Sequence, residues 1–396
     1  MHKNKLFILG GLSKYSNKTN EGVIPYGVKK KKPGFVSLFS GAMGLDLGLE
    51  EAGFNPLGCL ELDKWACETI KHNRPEIPRF CDDIRNWSGD KILQEFPIKK
   101  EDVMVVVGGP PCPSFSTAGK RQSFNDPRGE VMFDFLRIVK EISPPFFVME
   151  NVRGILSASI KHRPLDKRTK KYGALSPEEM HGSVLRMLNK YFKDMGYVVT
   201  AELVNTANYG TPQKRERVIF LGSKEGFQIT MPIGNYSKDE DMFSLPWRTL
   251  KDAFQDLKDP SPEFIPYSEV RLKYLRLLKE GQNWRNLPEH LIKEAMGGAY
   301  ESGGGKVGFY RRLSYNKPCP TVPTSPMHKS TCICHPRKLR PLSVNEYARV
   351  QQFPDSWKFQ GSIANKYKQI GNAVPVGLGY AIGKALLRYI KNYEEL

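Results

Sequence analysis

Residues 34–63 read GFVSLFSGAMGLDLGLEEAGFNPLGCLELD. The apolar run 35–39 (FVSLF) has the length and composition of a buried strand. Ser40, Gly41 and Gly44 follow it as a glycine-rich turn, and residues 44–52 then carry apolar side chains at helical spacing. A second short strand, 57–60, ends at Glu61. A glycine turn at a strand's carboxyl end lets the backbone approach a ligand. An acidic residue closing the next strand is placed to accept hydrogen bonds from ribose hydroxyls. Working outward, a helix is expected over 64–72, and the wholly apolar 103–107 (VMVVV) reads as a central strand. A helix over 130–142, a strand over 146–149, a helix over 183–195 and strands over 198–204 and 218–221 complete the series. Strands alternating with helices predict an α/β domain whose parallel sheet is covered on both faces.

The chain has 396 residues, too many for one ordinary core, so two domains are expected. Lys and Arg number 60 against 42 Asp and Glu, a formal net charge of +18. That surplus favours a polyanionic partner, nucleic acid first and an anionic membrane surface second. No apolar run approaches the ~18 residues of a membrane span, and no signal-peptide architecture is present. Seven cysteines in a chain this long argue for reduced thiols over a disulfide framework. Residues 1–33, ending in a run of lysines, read as a solvated flexible extension. From 34 to 222 the strand–helix rhythm holds. From 223 to 340 it gives way to Pro, Gly, Lys and Arg, the expected second domain. Helical order returns over 341–396, with an apolar helix expected over 374–390 that packs back on the first domain.

Four constellations carry chemistry. The first is the turn at 39–44 with Glu61, joined by Asp83 and Ile84 near a third strand end, where a carboxylate can meet an adenine amino group. Together they fit an adenosyl ligand, and no P-loop pattern is present. The second is GGPPCPSFS, 108–116, directly after the 103–107 strand. Prolines on both sides of Cys112 stiffen the loop and aim the thiol. Such a thiol at the mouth of a parallel sheet reads as a nucleophile rather than an inert buried cysteine. The third is Glu150-Asn151-Val152-Arg153, at the end of the neighbouring strand, so that Glu150 and Cys112 face one crevice; a helix cap is the alternative role for such a carboxylate. The fourth is QKRERV, 213–218, whose Arg215 and Arg217 sit on alternate positions and face one side, as base or phosphate ligands or as a solvated charge run.

These motifs, in this order, together with RPLSVNEYARVQQFP at 340–354 and QIGNAVP at 369–375, resemble the C5-cytosine DNA methyltransferase family of the bacterial restriction–modification type. The likeness runs from Phe35 to about Leu387. It implies a Rossmann-like S-adenosylmethionine-dependent methyltransferase domain with a second, smaller target recognition domain. It implies methyl transfer from S-adenosylmethionine to carbon 5 of a flipped-out cytosine in a specific double-stranded DNA sequence. Cys112 would then be the nucleophile at carbon 6, Glu150 would bind and protonate N3, Arg217 would hold the ring at its exocyclic oxygen, and Arg215 would support the loop. Phe39, Ser40, Gly41, Gly44, Leu45, Glu61, Leu62, Asp83, Ile84, Gly109, Pro111, Asn372 and Val374 would surround the cofactor. DNA contacts are expected from Ser116, Lys120, Arg311 and Arg312. Ala118 departs from relatives that carry Ser near the flipped base. The extension before Phe35 is longer than the family's usual leaders. A bacterial cytoplasmic, DNA-associated monomer is expected, working alongside a restriction endonuclease without a stable complex. A tRNA cytosine-5 methyltransferase and a catalytically silent DNA-binding protein are the competing readings. The spacing of Cys332, Cys334, His335 and His328 is not a standard zinc pattern, and no metal is expected.

Overall fold

The strand Val103–Gly108 lies at the centre of an eight-stranded sheet, and its three consecutive valines at 105–107 are fully buried. The computed structural model describes residues 6–7, 31–111, 127–161, 163–164, 167–168, 170–239, 242–302 and 306–394. In chain order the strands are β1 (Leu6–Phe7), β2 (Gly34–Leu38), β3 (Asn55–Glu61), β4 (Arg79–Cys81), β5 (Val103–Gly108), β6 (Phe146–Val152), β7 (Val198–Asn205), β8 (Gln213–Lys214) and β9 (Glu216–Ser223), then β10 (Tyr236–Ser237), β11 (Leu245–Pro246) and β12 (Cys319–Pro320). The helices are α1 (Gly44–Ala52), α2 (Lys64–Asn73), α3 (Gly89–Glu95), α4 (Pro127–Ile142), α5 (Ser183–Asp194), α6 (Leu250–Phe254), α7 (Glu269–Leu275), α8 (Glu289–Met296), α9 (Val344–Val350), α10 (Ile363–Asn372) and α11 (Val376–Glu394).

The large sheet has the order β1-β7-β9-β6-β5-β2-β3-β4. β6, β5, β2, β3 and β4 run parallel, while β9 is antiparallel to both β6 and β7. The expected parallel sheet holds for these five strands, and β9 departs from it. Burial on both faces dictates the apolar composition of β9, and direction leaves no mark on it. Leu6–Phe7 pairs antiparallel with β7, so two residues of the expected flexible extension form the sheet's edge.

One face of the sheet packs against α4 and α5 through Phe135, Phe147, Phe192 and Tyr197. The other packs against α1 and α11 through Leu45, Leu49, Leu378 and Ile382. α1 and α11 approach backbone to backbone. A Cβ on Gly48 would collide with the Val376 carbonyl and the Tyr380 amide, and one on Gly379 with the Leu45 carbonyl. Residues 363–393 are long and apolar enough to cross a membrane by length and composition, but 72% of the apolar window is buried inside the fold.

Among the described residues of 225–342 no extended sheet forms. β10 pairs with β11, and β12 pairs with β8. The short helices α7 and α8 gather a separate apolar cluster around Tyr274, Leu278, Met296, Tyr310 and Cys332. Phe227, Ile229 and Met231, just past the expected boundary at 222, still pack on the sheet.

Candidate active site

Register places the candidate residues along one edge of the sheet. Leu38 pairs with Leu60 and with Gly108, and Gly108 with Met149. Residues 39–41, Glu61, Gly109 and Glu150 therefore emerge together at the carboxyl ends of adjacent parallel strands, where open α/β sheets bind their ligands.

The turn after β2 is sharply folded, with Phe39, Gly41 and Met43 at φ values of 57°, 55° and 65°. A side chain at Gly41 would meet nothing within 4 Å, so its left-handed backbone alone calls for glycine. At Gly44 the requirement is space, because the Val374 carbonyl lies against it. Glu61 locks the turn. Its Oε2 accepts the Gly41 amide at 2.7 Å, and Oε1 accepts the amides of Leu62 and Asp63 at 2.9 and 2.8 Å. Burial pushes the Glu61 carboxyl above its usual value, and these three donors oppose the rise. A carboxylate offers about four acceptor directions; one remains for a ribose hydroxyl. Leu62 beside it is 62% exposed and leaves an apolar face uncovered. These residues fit an adenosyl group.

Asp83 lies just past β4 and caps the following turn by accepting the Arg85 amide, with an ion pair to the Arg85 guanidinium that holds its pKa below the usual range. Ser40 donates to the Ser37 carbonyl at 3.2 Å. Leu45 and Ile84 are buried in the apolar clusters beneath the loops rather than lining an open surface. Asn372, at the carboxyl end of α10, is exposed, and Val374 is buried against α1. Pro111 is exposed, and a Cβ at Gly109 would stand 3.2 Å from Glu150 Oε2. Cys112, Ser116 and Lys120 lie outside the described residues.

Glu150 is paired. Arg217 Nε lies 2.6 Å from its Oε1, and both side chains are largely buried. Register explains the pair: Val152 faces Arg217 across β6 and β9, so Arg217 projects on the same face as Glu150, one pleat away. Arg217 also donates to the Glu216 carbonyl at 2.7 Å. Arg215 is 3% exposed; burial and then the Arg217 charge hold its pKa well below the usual arginine value, while Glu150 acts the other way. Its Nε has no partner among the described residues. Burial rules out a solvated charge run.

Sequence reasoning missed an ion pair beside this site, Arg153 to Glu216 at 2.8 Å. Both residues lie inside quoted motifs, but only the β6–β9 register brings the motifs together. It also missed the link from Thr321, which donates to the Lys214 carbonyl at 2.8 Å across 107 residues of sequence. No periodicity signals such a contact.

Two expectations are corrected. Cys67, in the first turn of α2, and Cys81, at the end of β4, form a disulfide with Cα atoms 5.9 Å apart, where all thiols were expected reduced. Adjacent strand and helix ends bring together two cysteines that carry no spacing signature. Arg312 is turned inward: its Nε donates to the Pro336 carbonyl and its Nη1 to the Leu278 carbonyl. Two of the five guanidinium N–H donors are thus committed to the protein. Arg311 is half-buried, with its Nε lacking a partner among the described residues. Around the Cys332–His335 cluster, the Cys332 thiol donates to the Tyr267 hydroxyl and His335 Nδ1 accepts the amides of Arg337 and Lys338.

A family model described as C-5 cytosine-specific DNA methylase matches residues 34–388. The chain belongs to this family. It is 35% identical over 399 residues to the Type II methyltransferase M.Sau96I of Staphylococcus aureus, covering 99% of this chain and 84% of that protein. It is 38% identical to M.PspPI of a Psychrobacter strain, over 90% of this chain and 79% of the relative. Among solved structures, a DNA modification methyltransferase encoded within an E. coli prophage superposes with a TM-score of 0.59 at 25% identity, covering 90% of this chain and 99% of the other. DNMT2 of Spodoptera frugiperda shares the fold, at TM-score 0.53 and 16% identity over 89% and 99% of the two chains. The protein is thus a DNA (cytosine-5) methyltransferase on an α/β methyltransferase fold, and the family draws its methyl group from S-adenosylmethionine.

Proposed function

We propose that this methyltransferase modifies one cytosine within a short double-stranded DNA sequence through a covalent adduct on Cys112. The observation that carries the reading is the Glu150–Arg217 pair, 2.6 Å apart, at the strand end beside Gly109. Gly109 opens the loop that leads to Cys112.

Carbon 5 of cytosine is a weak nucleophile while the ring is aromatic. The Cys112 thiolate adds to carbon 6, and Glu150 delivers a proton to N3, so the electron pair ends in an enamine. Arg217, fixed against Glu150, donates to the exocyclic oxygen. S-adenosylmethionine supplies the methyl group that the enamine carbon 5 takes up. The carbon 5 proton leaves to water, the N3 proton returns to Glu150 and the Cys112 thiolate is expelled, which restores the ring. Carbon 6 is out of reach inside a duplex, so the target base turns out of the stack into the crevice at the sheet edge, at a cost of a few kcal/mol.

Glu61, Leu62, Asp83, Asn372 and the 39–44 turn would hold the cofactor. Residues 223–340 form a target recognition domain on this reading, with 341–396 completing the catalytic domain. Ser116, Lys120 and Arg311 are the proposed DNA contacts. On this reading the chain, like the relatives named Type II methyltransferases, marks bacterial DNA against a partner endonuclease, as a cytoplasmic monomer.

The test is incubation with labelled S-adenosylmethionine and unmethylated DNA, in parallel with Cys112→Ser, followed by bisulfite mapping. Labelled 5-methylcytosine at one recurring sequence, absent with the variant, is expected. Undiminished transfer by Cys112→Ser would overturn the covalent mechanism, and transfer to tRNA alone would overturn the DNA substrate.

A further inference from the structure

Two glutamines follow α9, Gln351 fully buried and Gln352 half-buried, and nothing in the proposed chemistry uses them. The Gln351 amide is fully buried. Its Nε2 donates to the carbonyls of Ile370 and Ala373, at 2.7 and 3.1 Å. Its Oε1 accepts Gln213 Nε2 at 2.7 Å. The Gln213 amide, also fully buried, in turn accepts the Val322 backbone N–H at 3.0 Å on its Oε1. The chain has one direction. A backbone donor fixes one end and two backbone carbonyls fix the other, so neither amide can flip without breaking both its links. Gln352 makes a second strut beside it. Its Oε1 accepts the Thr211 hydroxyl and the Gly377 amide, and its Nε2 donates to the Gly210 carbonyl. Gln352 holds φ at +64°, a left-handed backbone that a side-chain-bearing residue keeps only when its surroundings enforce it.

The places these amides join are the three parts that the reaction must bring together. Gln213 immediately precedes Lys214 and Arg215, and its strand leads to Arg217. Val322 follows Thr321, which is itself bonded to the Lys214 carbonyl, at the seam with residues 223–340. Ile370, in the last turn of α10, and Ala373 just after it lead into Val374, whose carbonyl lies against Gly44 under the cofactor loop.

We propose that Gln213 and Gln351 are positioning residues that couple DNA binding to cofactor binding. A shift of the 319–322 segment as DNA seats is passed along this buried, slack-free chain to the turn below the cofactor, where no water can substitute for a broken link. By reciprocity the cofactor then tightens DNA binding by the same factor. The proposal rests on the methyltransferase reading above.

The probe is S-adenosylhomocysteine, titrated calorimetrically with and without a duplex carrying the sequence that bisulfite mapping finds. DNA is expected to tighten its binding to wild type by about tenfold. Gln213→Glu keeps the side chain's length and the Val322 bond but, titrated at a pH high enough to ionise the buried carboxyl, cannot donate to Gln351; the factor should then fall to within about twofold of unity. Gln351→Leu should do the same from the other end, with a lower Tm. A core truncation far from the chain, Phe192→Leu, should lower Tm and keep the tenfold factor, separating coupling from general weakening. If Gln351→Leu does not fold, Gln213→Glu decides alone. A wild type that makes 5-methylcytosine but binds the probe equally with and without DNA would overturn the proposal. So would a folded Gln213→Glu with the full factor. A wild type that makes no 5-methylcytosine would instead sink the methyltransferase reading.

Discussion

Asp46 illustrates what a single residue's surroundings do to it. It sits in the first turn of α1, 1% exposed, with Oδ1 lacking a hydrogen-bond partner among the described residues. Burial raises its pKa to about 7, opposed by a hydrogen bond to Ser37. The sign of the stability effect follows from proton counts. Between about pH 4 and 7 the unfolded chain has lost this proton and the folded chain still holds it, so stability drains away as pH rises through that window. A shift of about 3 units corresponds to ~4 kcal/mol as an upper bound. Asp46→Asn cannot ionise. Its unfolding free energy, compared with wild type by urea titration at pH 5 and pH 8, should therefore gain ground on wild type at the higher pH. Equal pH dependence in the two proteins would show that Asp46 is not held protonated. Residue identity also accounts for much of what could be read beforehand. Glu61, Glu150 and Arg217 were legible because chemistry restricts which side chains can stand at a strand end beside a glycine turn. The inward turn of Arg312 was not, because an arginine bonded to carbonyls and one bonded to guanine carry the same letter. Asp46 was invisible for a related reason: a carboxylate on an apolar helix face reads as a polar position until its neighbours are known.

At the level of elements, α1 was legible to the residue, since its left-handed entry at Met43 and exit at Gly53 bracket a clear apolar face. β5 was equally plain from its composition. The antiparallel insertion of β9 was not, because register and direction belong to pairs of strands. The α1–α11 contact belongs to the same class. Gly48 ordinarily weakens a helix by roughly 0.5–1 kcal/mol relative to Ala, so propensity alone predicts that Gly48→Ala stabilises. The packing predicts the opposite. A Cβ there would overlap the Val376 carbonyl, the Tyr380 amide and Gly379, all backbone atoms that cannot swing aside. Forcing a methyl group into such a site costs ~1–3 kcal/mol or more, which outweighs the propensity gain. Gly48→Ala should lower Tm by several degrees and weaken S-adenosylhomocysteine binding, because α11 leads directly from Val374. Gly298→Ala, with open space around its Cβ, should leave both unchanged. A Gly48→Ala protein with a raised Tm would mean that the helices stand further apart than described.

For the whole molecule, the surplus of 18 positive charges sets how it meets DNA. The acidic residues on the cofactor side, Glu61, Asp63, Asp82 and Asp83, are engaged by backbone amides, Lys368, Asn86 and Arg85. Arg215, between β8 and β9, and Arg311, in the 225–342 segment, have no carboxylate hydrogen-bonded to them among the described residues. Arg215 is shielded from solvent, so the charge that meets a duplex comes from the more exposed Lys and Arg of the surplus. Each phosphate neutralised releases counterions, so log K should fall linearly with log salt, with a slope of about −0.9 per contact. With on the order of six contacts, affinity would drop about a thousandfold between 50 and 200 mM salt. This contribution is blind to sequence: the fall should be nearly parallel for the mapped target and for a random duplex. Two substitutions then separate position from readout. Lys120→Ala should reduce the slope by about 1 for both duplexes and leave their affinity ratio intact. Arg311→Ala should shrink the ratio, by an amount corresponding to ~1–3 kcal/mol if it meets a base edge. Should Arg311→Ala weaken both duplexes equally, Arg311 touches phosphate only, and the bases are read by other residues of the 223–340 segment.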